Sequence, residues 1–211
     1  MTLLFDPHAA ADALRAADRR WAELIDRVGP CRIKVDALAS PFAALAESIV
    51  YQQLTGKAAA TIHGRLVDSL PSRRMVPEAI LDTHHRRLRG AGLSRAKVLA
   101  LKDLAKKTID GTVPRAAALE RMPDEEIIER LIQVRGIGRW SVEMLLIFRL
   151  GRPDVWPVGD YGVRKGYAKV FGRGRLPTPK LLAKRGEPWR PYRSAAAWYL
   201  WRALESPAGR A

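Results

Sequence analysis

Hydrophobic positions along this chain recur every three to four residues, and strict period-two alternation is nearly absent. That pattern predicts helices almost throughout, so the expected fold class is all-α. Asp6-Pro7 pairs a cap with a first-turn proline and predicts a helix running toward Val28, stopped by Gly29-Pro30. Ser40-Pro41 opens another, with Phe42, Leu45, Ile49 and then Leu54 at helical spacing. A third is expected over 57–70, and Ser94 can cap a helix through Ile109. Pro123-Asp124-Glu125-Glu126 puts acids in the first turn of a helix reaching Val134, where the helix dipole favours them. Helices over 139–150, 160–170 and 192–204 complete the pattern. The stretch 172–191, with three Gly and four Pro, reads as the loosest segment.

A chain of 211 residues can bury one good core, or build two small lobes that share one. Its 47% apolar content argues against disorder. Charge sharpens the picture: the formal net charge is +15 and the pI about 10.6. Residues 131–211 hold 16 Lys/Arg against 5 Asp/Glu, a net +11, whereas residues 1–130 carry only +4. Such an excess implies an anionic partner, nucleic acid or an acidic membrane, unless it serves only solubility. The lone Cys31 excludes an internal disulfide and any cysteine-held metal or iron–sulfur cluster, and reads as an inert core thiol. His8, His63, His84 and His85 lack metal-ligand spacing. No apolar run reaches about 18 residues and Asp6 interrupts any leader, so a soluble, intracellular, cytoplasmic protein with no membrane partner is expected.

Four features carry candidate chemistry. Val134-Arg135-Gly136-Ile137-Gly138 joins two predicted helices by a glycine turn. Its N–H groups suit a phosphate oxygen, glycine permits positive φ and close approach, and Arg135 and Arg139 flank it. An ordinary helix–helix turn is the alternative. Asp160 follows Val158-Gly159 in an aromatic loop. It is either a plain N-cap or a carboxylate placed to stabilise an oxocarbenium-like sugar. Six Trp, five of them beyond residue 139, supply flat faces for an extruded base, Trp140, Trp156, Trp198 and Trp201 among them with Tyr161, Tyr192 and Tyr199. Core packing competes with that use, above all at Trp198 and Tyr199. Finally, Tyr51-Gln52-Gln53-Leu54-Thr55-Gly56-Lys57 lies between two helices. A protruding Leu54 with adjacent amides could fill the gap that a flipped nucleotide leaves, or Leu54 could be core.

Together these residues resemble the helix-hairpin-helix/Gly-Pro-Asp superfamily of DNA glycosylases, and within it the 3-methyladenine DNA glycosylase II branch. IVYQQLTGKAAATIHGRL, LIQVRGIGRWSVEMLLIF, DVWPVGDYGVRKGY and WRPYRSAAAWYLWR carry the likeness, across most of residues 36–204. The resemblance implies two helical lobes, 36–152 and 1–35 with 153–211, flanking a basic cleft, without an N-terminal β domain. It implies Asp160 as the catalytic carboxylate, Leu54 as the wedge with Gln53 beside it, and Trp140, Tyr161 and Trp201 around the base pocket. Met144 stands where some relatives carry an aromatic and would widen that pocket. Gly136, Gly138 and Arg139 would hold phosphate. The carbonyls of Ile132, Val134 and Ile137 would hold a monovalent cation such as Na or K, with no cofactor required for catalysis.

Trp140 stands where strand-cleaving members carry a lysine nucleophile, so no Schiff-base step is expected and the product is an abasic site. The implied activity is hydrolysis of the N-glycosidic bond of alkylated purines in duplex DNA during base excision repair. The expected form is a monomer with no obligate protein partner, nucleoid-associated and bacterial. Two other functions remain open on the residues alone: a glycosylase for deaminated or oxidised bases, and a non-catalytic binder of damaged DNA.

Overall fold

The structure, a computed structural model, describes residues 3–172 and 174–205. Among these residues every regular element is helical, as the periodicity predicts. In chain order the helices are α1 (Pro7–Ala17), α2 (Arg19–Val28), α3 (Pro41–Tyr51), α4 (Gly56–Ser69), α5 (Pro77–Asp82), α6 (His85–Gly90), α7 (Arg95–Ile109), α8 (Ala116–Arg121), α9 (Asp124–Leu131), α10 (Arg139–Phe148), α11 (Tyr161–Val170), α12 (Pro179–Gly186) and α13 (Arg193–Arg202). Short 3₁₀ turns occupy Pro71–Arg73 and Glu187–Trp189.

Three departures from the sequence pattern have local causes. The helix expected from Asp6 to Val28 is broken at Asp18, whose backbone is extended. Its carboxylate accepts the Arg20 N–H at 2.9 Å and pairs with the Arg20 guanidinium at 2.6 Å, so a residue that apolar periodicity passes over starts a new helix. The segment expected to be loosest is helical from Pro179 onward: the Thr178 hydroxyl accepts the Leu181 N–H, Pro179 fills the first turn, and α12 follows. Helices α5, α6 and α8 have six residues each, too few to display a period. Elsewhere capping follows the sequence, with Ser40 accepting from Ala43 N–H and Ser94 from Lys97 N–H.

Packing divides the chain into two compact units, Met1–Ala37 with Glu143–Ala211, and Leu38–Val142. The division falls inside α10, so Met144 and Phe148 belong to the first unit. In the Leu38–Val142 unit, α7 is the spine: α3, α5 and α6 pack on it, and α4 packs on α3 and α6. Phe42, Leu45, Ile49, Leu66, Leu101 and Leu104 lie fully buried there.

The other unit is organised by α13, which packs against α1, α2 and α11, with residues 194–200 all buried. A cluster of aromatic rings fills its far end. Trp189 meets Trp21 edge-on at 4.9 Å and Trp156 edge-on at 5.2 Å, the orientation that ring quadrupoles favour. The Trp156 indole N–H donates to the Leu182 carbonyl at 3.0 Å. Trp156, Trp198 and Tyr199 therefore serve the core, and the Tyr199 hydroxyl donates to the Gly29 carbonyl.

Candidate functional site

In the first unit, Asp160 caps α11. The preceding Pro157-Val158-Gly159 turn is closed by the Asp160 N–H on the Pro157 carbonyl at 2.9 Å. One carboxylate oxygen, Oδ1, accepts two bonds: the Val163 N–H at 2.6 Å and the Trp201 indole N–H at 2.9 Å. The first is an ordinary cap. The second is not, because a cap needs no tryptophan from a helix 41 residues away. Small residues let α13 come this close. Gly162 and Gly166 share one face of α11, four apart. A Cβ at Gly166 would stand 2.2 Å from the Leu200 carbonyl oxygen, and one at Gly162 would stand 2.8 Å from Trp201 Cδ1 and 3.0 Å from Asp160 Oδ1. Phe148 stacks on the Trp201 ring at 5.8 Å, fixing its plane. Tyr161, the next residue after the carboxylate, is 63% exposed, with the Lys165 ammonium 5.9 Å from its ring centroid. Met144 is half-buried. Of the expected pocket residues, the structure thus joins Trp201 directly to Asp160 and leaves Tyr161 largely exposed, with Lys165 over its ring.

In the second unit, the glycine turn between α9 and α10 has the geometry the sequence asked for. Gly136 adopts φ +80°, a left-handed conformation that disfavours any other residue. The Ile137 N–H closes the turn on the Val134 carbonyl at 3.0 Å, and Gly138 supplies its carbonyl to the first turn of α10. Among the described residues, the Gly136 and Gly138 N–H groups donate to no protein acceptor, and both glycines are exposed. Exposed backbone donors at the start of a helix can take a phosphate oxygen. Arg139 is gripped by Glu125 through two bonds of 2.7 and 2.8 Å, and these bonds hold the Glu125 carboxyl below the usual carboxylate range. Trp140 is 50% exposed.

Side chains of α7 brace this turn from beneath, a feature that periodicity does not reveal. Asp103 accepts the Arg135 N–H at 2.7 Å and the Lys107 ammonium at 2.8 Å. Lys107 also donates to the Gln133 carbonyl. Burial alone would raise the Asp103 pKa; the Arg135 N–H and Lys107 outweigh it and hold the carboxyl below its ordinary value. Ala100, on the same face, is the neighbour that a Cβ at Gly136 would meet, at 3.3 Å.

The segment after α3 stands beside the turn. Helix α3 ends at Tyr51, so Leu54 lies outside it and is 39% exposed, which removes the core reading of that side chain. Gln53 takes φ +58°, left-handed without being glycine. The Gln52 side-chain amide donates to the Gly136 carbonyl at 2.8 Å, tying the two loops together. Lys97 donates to the carbonyls of Val50 and Gln52, each at 2.8 Å, and burial lowers its pKa.

Comparisons with known proteins identify the family. The family profile described as HhH-GPD superfamily base excision DNA repair protein matches residues 46–191. The chain is 40% identical over 191 residues to DNA-3-methyladenine glycosylase 1 of Schizosaccharomyces pombe, covering 90% of this chain and 84% of that one. Among solved structures, a 3-methyladenine DNA glycosylase of the same yeast in complex with abasic DNA superposes with a TM-score of 0.81 at 39% identity, over 92% of this chain and 95% of that one. A DNA-3-methyladenine glycosidase from Bacillus halodurans superposes at 0.83 with 34% identity, over 92% and 88% of the two chains. The chain belongs to the HhH-GPD superfamily of base excision DNA repair proteins.

Proposed function

We propose that this protein is a monofunctional DNA glycosylase that releases alkylated purines of the 3-methyladenine type from duplex DNA and leaves an abasic site. Two of the relatives above are named DNA-3-methyladenine glycosylase and DNA-3-methyladenine glycosidase, at 40% and 34% identity over most of both chains, which supports this reading. The observation that carries the chemistry is the Asp160 carboxylate, held on one oxygen by Val163 N–H and Trp201 in a chain of net charge +15. An anion retained in a DNA-binding protein repels phosphate, and stabilising a sugar cation gives it a use.

In this reading the Gly136 and Gly138 N–H groups grip a phosphate next to the lesion, joined by Arg139. Leu54 enters the stack as the nucleotide leaves, with Gln53 beside it. Aromatic faces of Trp140, Tyr161 and Trp201, with the smaller Met144, receive the base, whose positive charge draws it to electron-rich rings. As the glycosidic bond lengthens, Asp160 stabilises the developing charge on the sugar and orients water toward C1′, and that water gives up one proton to solvent as its oxygen bonds to C1′. The electron pair of the broken bond goes to the base, which is already a good leaving group when cationic, so no strong general acid is required. With Trp140 at the position of the lysine nucleophile, the strand stays intact.

A monovalent cation, Na or K, would be held at the turn by the carbonyls of Ile132, Val134 and Ile137. The Val134 carbonyl already accepts the Ile137 N–H, which leaves it one lone pair for an ion. Such an ion supplies positive charge toward phosphate and takes no part in bond breaking. The protein would act as a cytoplasmic, nucleoid-associated monomer; among the described residues no helix is long and apolar enough to cross a membrane.

The test is release of free methylated bases from alkylated duplex by wild type and Asp160→Asn. The expected outcome is release by wild type, near-complete loss in the variant and unchanged affinity for duplex. Tight binding without release by wild type would turn the reading toward a damage binder or toward deaminated and oxidised bases.

A further inference from the structure

We infer that Gln52 is a positioning residue for strand opening, fixing the Leu54 loop to the phosphate-gripping turn so that both engage DNA as one rigid body. This rests on the wedge reading of Leu54. Three observations carry it. Gln52 spans 84 residues of sequence to donate its side-chain amide to the Gly136 carbonyl at 2.8 Å, in a bond open to solvent where water competes for the same amide. The Gln53 backbone, between Gln52 and Leu54, sits at φ +58°, a conformation that non-glycine residues hold only when their surroundings enforce it. The enforcing contacts are present: Lys97 takes the carbonyls of Val50 and Gln52, so the residues on the N-terminal side of Gln53 are pinned.

The same helix braces both loops. Lys97, Ala100, Asp103 and Lys107 fall on one face of α7, and they touch the Leu54 loop, Gly136, Arg135 and Gln133 in turn. Gln52 closes this frame on its outer side. A wedge fixed relative to the phosphate grip converts phosphate binding into correct aim at the base step. A wedge on a free loop would have to find that step separately, losing orientational advantage.

Single-turnover base release from a methylated purine, in a fully paired duplex and opposite a mismatch, tests this in the intact protein. Variants are Gln52→Ala, Gln52→Glu, Leu54→Ala and the Gln52→Ala/Leu54→Ala pair, each checked for an unchanged melting temperature. Gln52→Ala is expected to slow release from the paired duplex by about tenfold to a hundredfold. It should slow release from the mismatch far less, and leave duplex affinity unchanged. Gln52→Glu keeps the length but loses the donor, and should match Gln52→Ala. The double variant should be no slower than Leu54→Ala, because both changes remove one function.

A normal rate for Gln52→Ala, a rate for Gln52→Glu equal to wild type, equal slowing on both duplexes, or full additivity with Leu54→Ala would each overturn the inference. A normal Leu54→Ala would instead sink the wedge reading beneath it, and Gln52 with it. Absence of release by wild type would refute the glycosylase reading. Fluorescence of a 2-aminopurine next to the lesion then reads strand opening without turnover. Signal in wild type that is lost in both single variants would uphold the Gln52 role; signal that survives in Gln52→Ala would overturn it.

Discussion

At the residue scale, the decisive contact is Trp201 on Asp160. An indole N–H bonded to a carboxylate is a charge-assisted hydrogen bond, and it fixes which way the carboxylate faces. Trp201→Phe keeps a ring against Phe148 and removes that donor. Base release should fall about tenfold, equivalent to about 1.4 kcal/mol of barrier, with little change in thermal stability. A variant as active as wild type would reduce Trp201 to packing. Gly162→Ala attacks the same pair from the helix side. Its Cβ would lie 2.8 Å from Trp201 Cδ1, so the indole must move. Release should drop at least as far as in Trp201→Phe, and near-ultraviolet circular dichroism should report the displaced tryptophan. Asp160 itself was visible in the sequence as an acid in a basic chain, with its cap role and its chemical role both open. Composition and periodicity could not show that Trp201, rather than Trp198 or Tyr199, is the aromatic that reaches it, although the family resemblance singled Trp201 out for the base pocket. One helical turn on α13 separates a core residue from a site residue, and only packing decides which is which.

At the scale of elements, the glycine turn, the caps and most helix boundaries follow from local chemistry that residues carry with them. The Asp18 break and α12 are not legible in the sequence, because apolar periodicity runs across one cap and glycine density masks the other. The turn between α9 and α10 makes two expectations. Gly136→Ala forces a left-handed backbone on alanine, costing about 1–2 kcal/mol, and pushes against Ala100. It should lower the melting temperature by several degrees and weaken duplex binding; unchanged binding would remove the turn as a phosphate grip. Glu125→Gln tests Arg139. The pair is exposed, 54% and 61%, so it is worth at most about 1 kcal/mol and a phosphate can displace it. Removing the Glu125 charge that competes with phosphate for Arg139 should tighten duplex binding severalfold at low salt. Weaker or equal binding would mean that Arg139 does not contact phosphate.

At the scale of the whole molecule, charge and burial set the response to conditions. With a net charge of +15, affinity for undamaged duplex should fall by more than about tenfold between roughly 50 and 200 mM salt, through counterion release. A flat profile would exclude DNA phosphates as the main contact. Two buried groups contribute to stability at alkaline pH. Burial pushes the Cys31 thiol up from 9.0 to about 11 and the Tyr199 hydroxyl up from 10.0 to about 12. Each folded-state value lies above its unfolded one, so the stability these groups contribute is complete below pH 9 and disappears as pH climbs toward 12. Urea titrations at pH 8 and pH 11 should show a clear loss at the higher pH, reduced in Tyr199→Phe; an equal loss in that variant would assign it elsewhere. The native protein should also resist thiol alkylation at pH 8, since Cys31 is buried and protonated.

The sequence by itself determined the helical class, the glycine turn, the placement of an acid after it and the anionic partner, because each depends on local backbone chemistry or on summed charge. Tertiary structure alone decided that Trp201 holds Asp160, that Trp156, Trp189 and Tyr199 are core, and that Gln52, Lys97 and Asp103 brace two loops. Asp103 with Arg135, Asp160 with Trp201 and Gln52 with Gly136 join residues 32, 41 and 84 positions apart, and no periodicity or propensity acts across such distances. Packing of α13 on α11 and of the loops on α7 selects them.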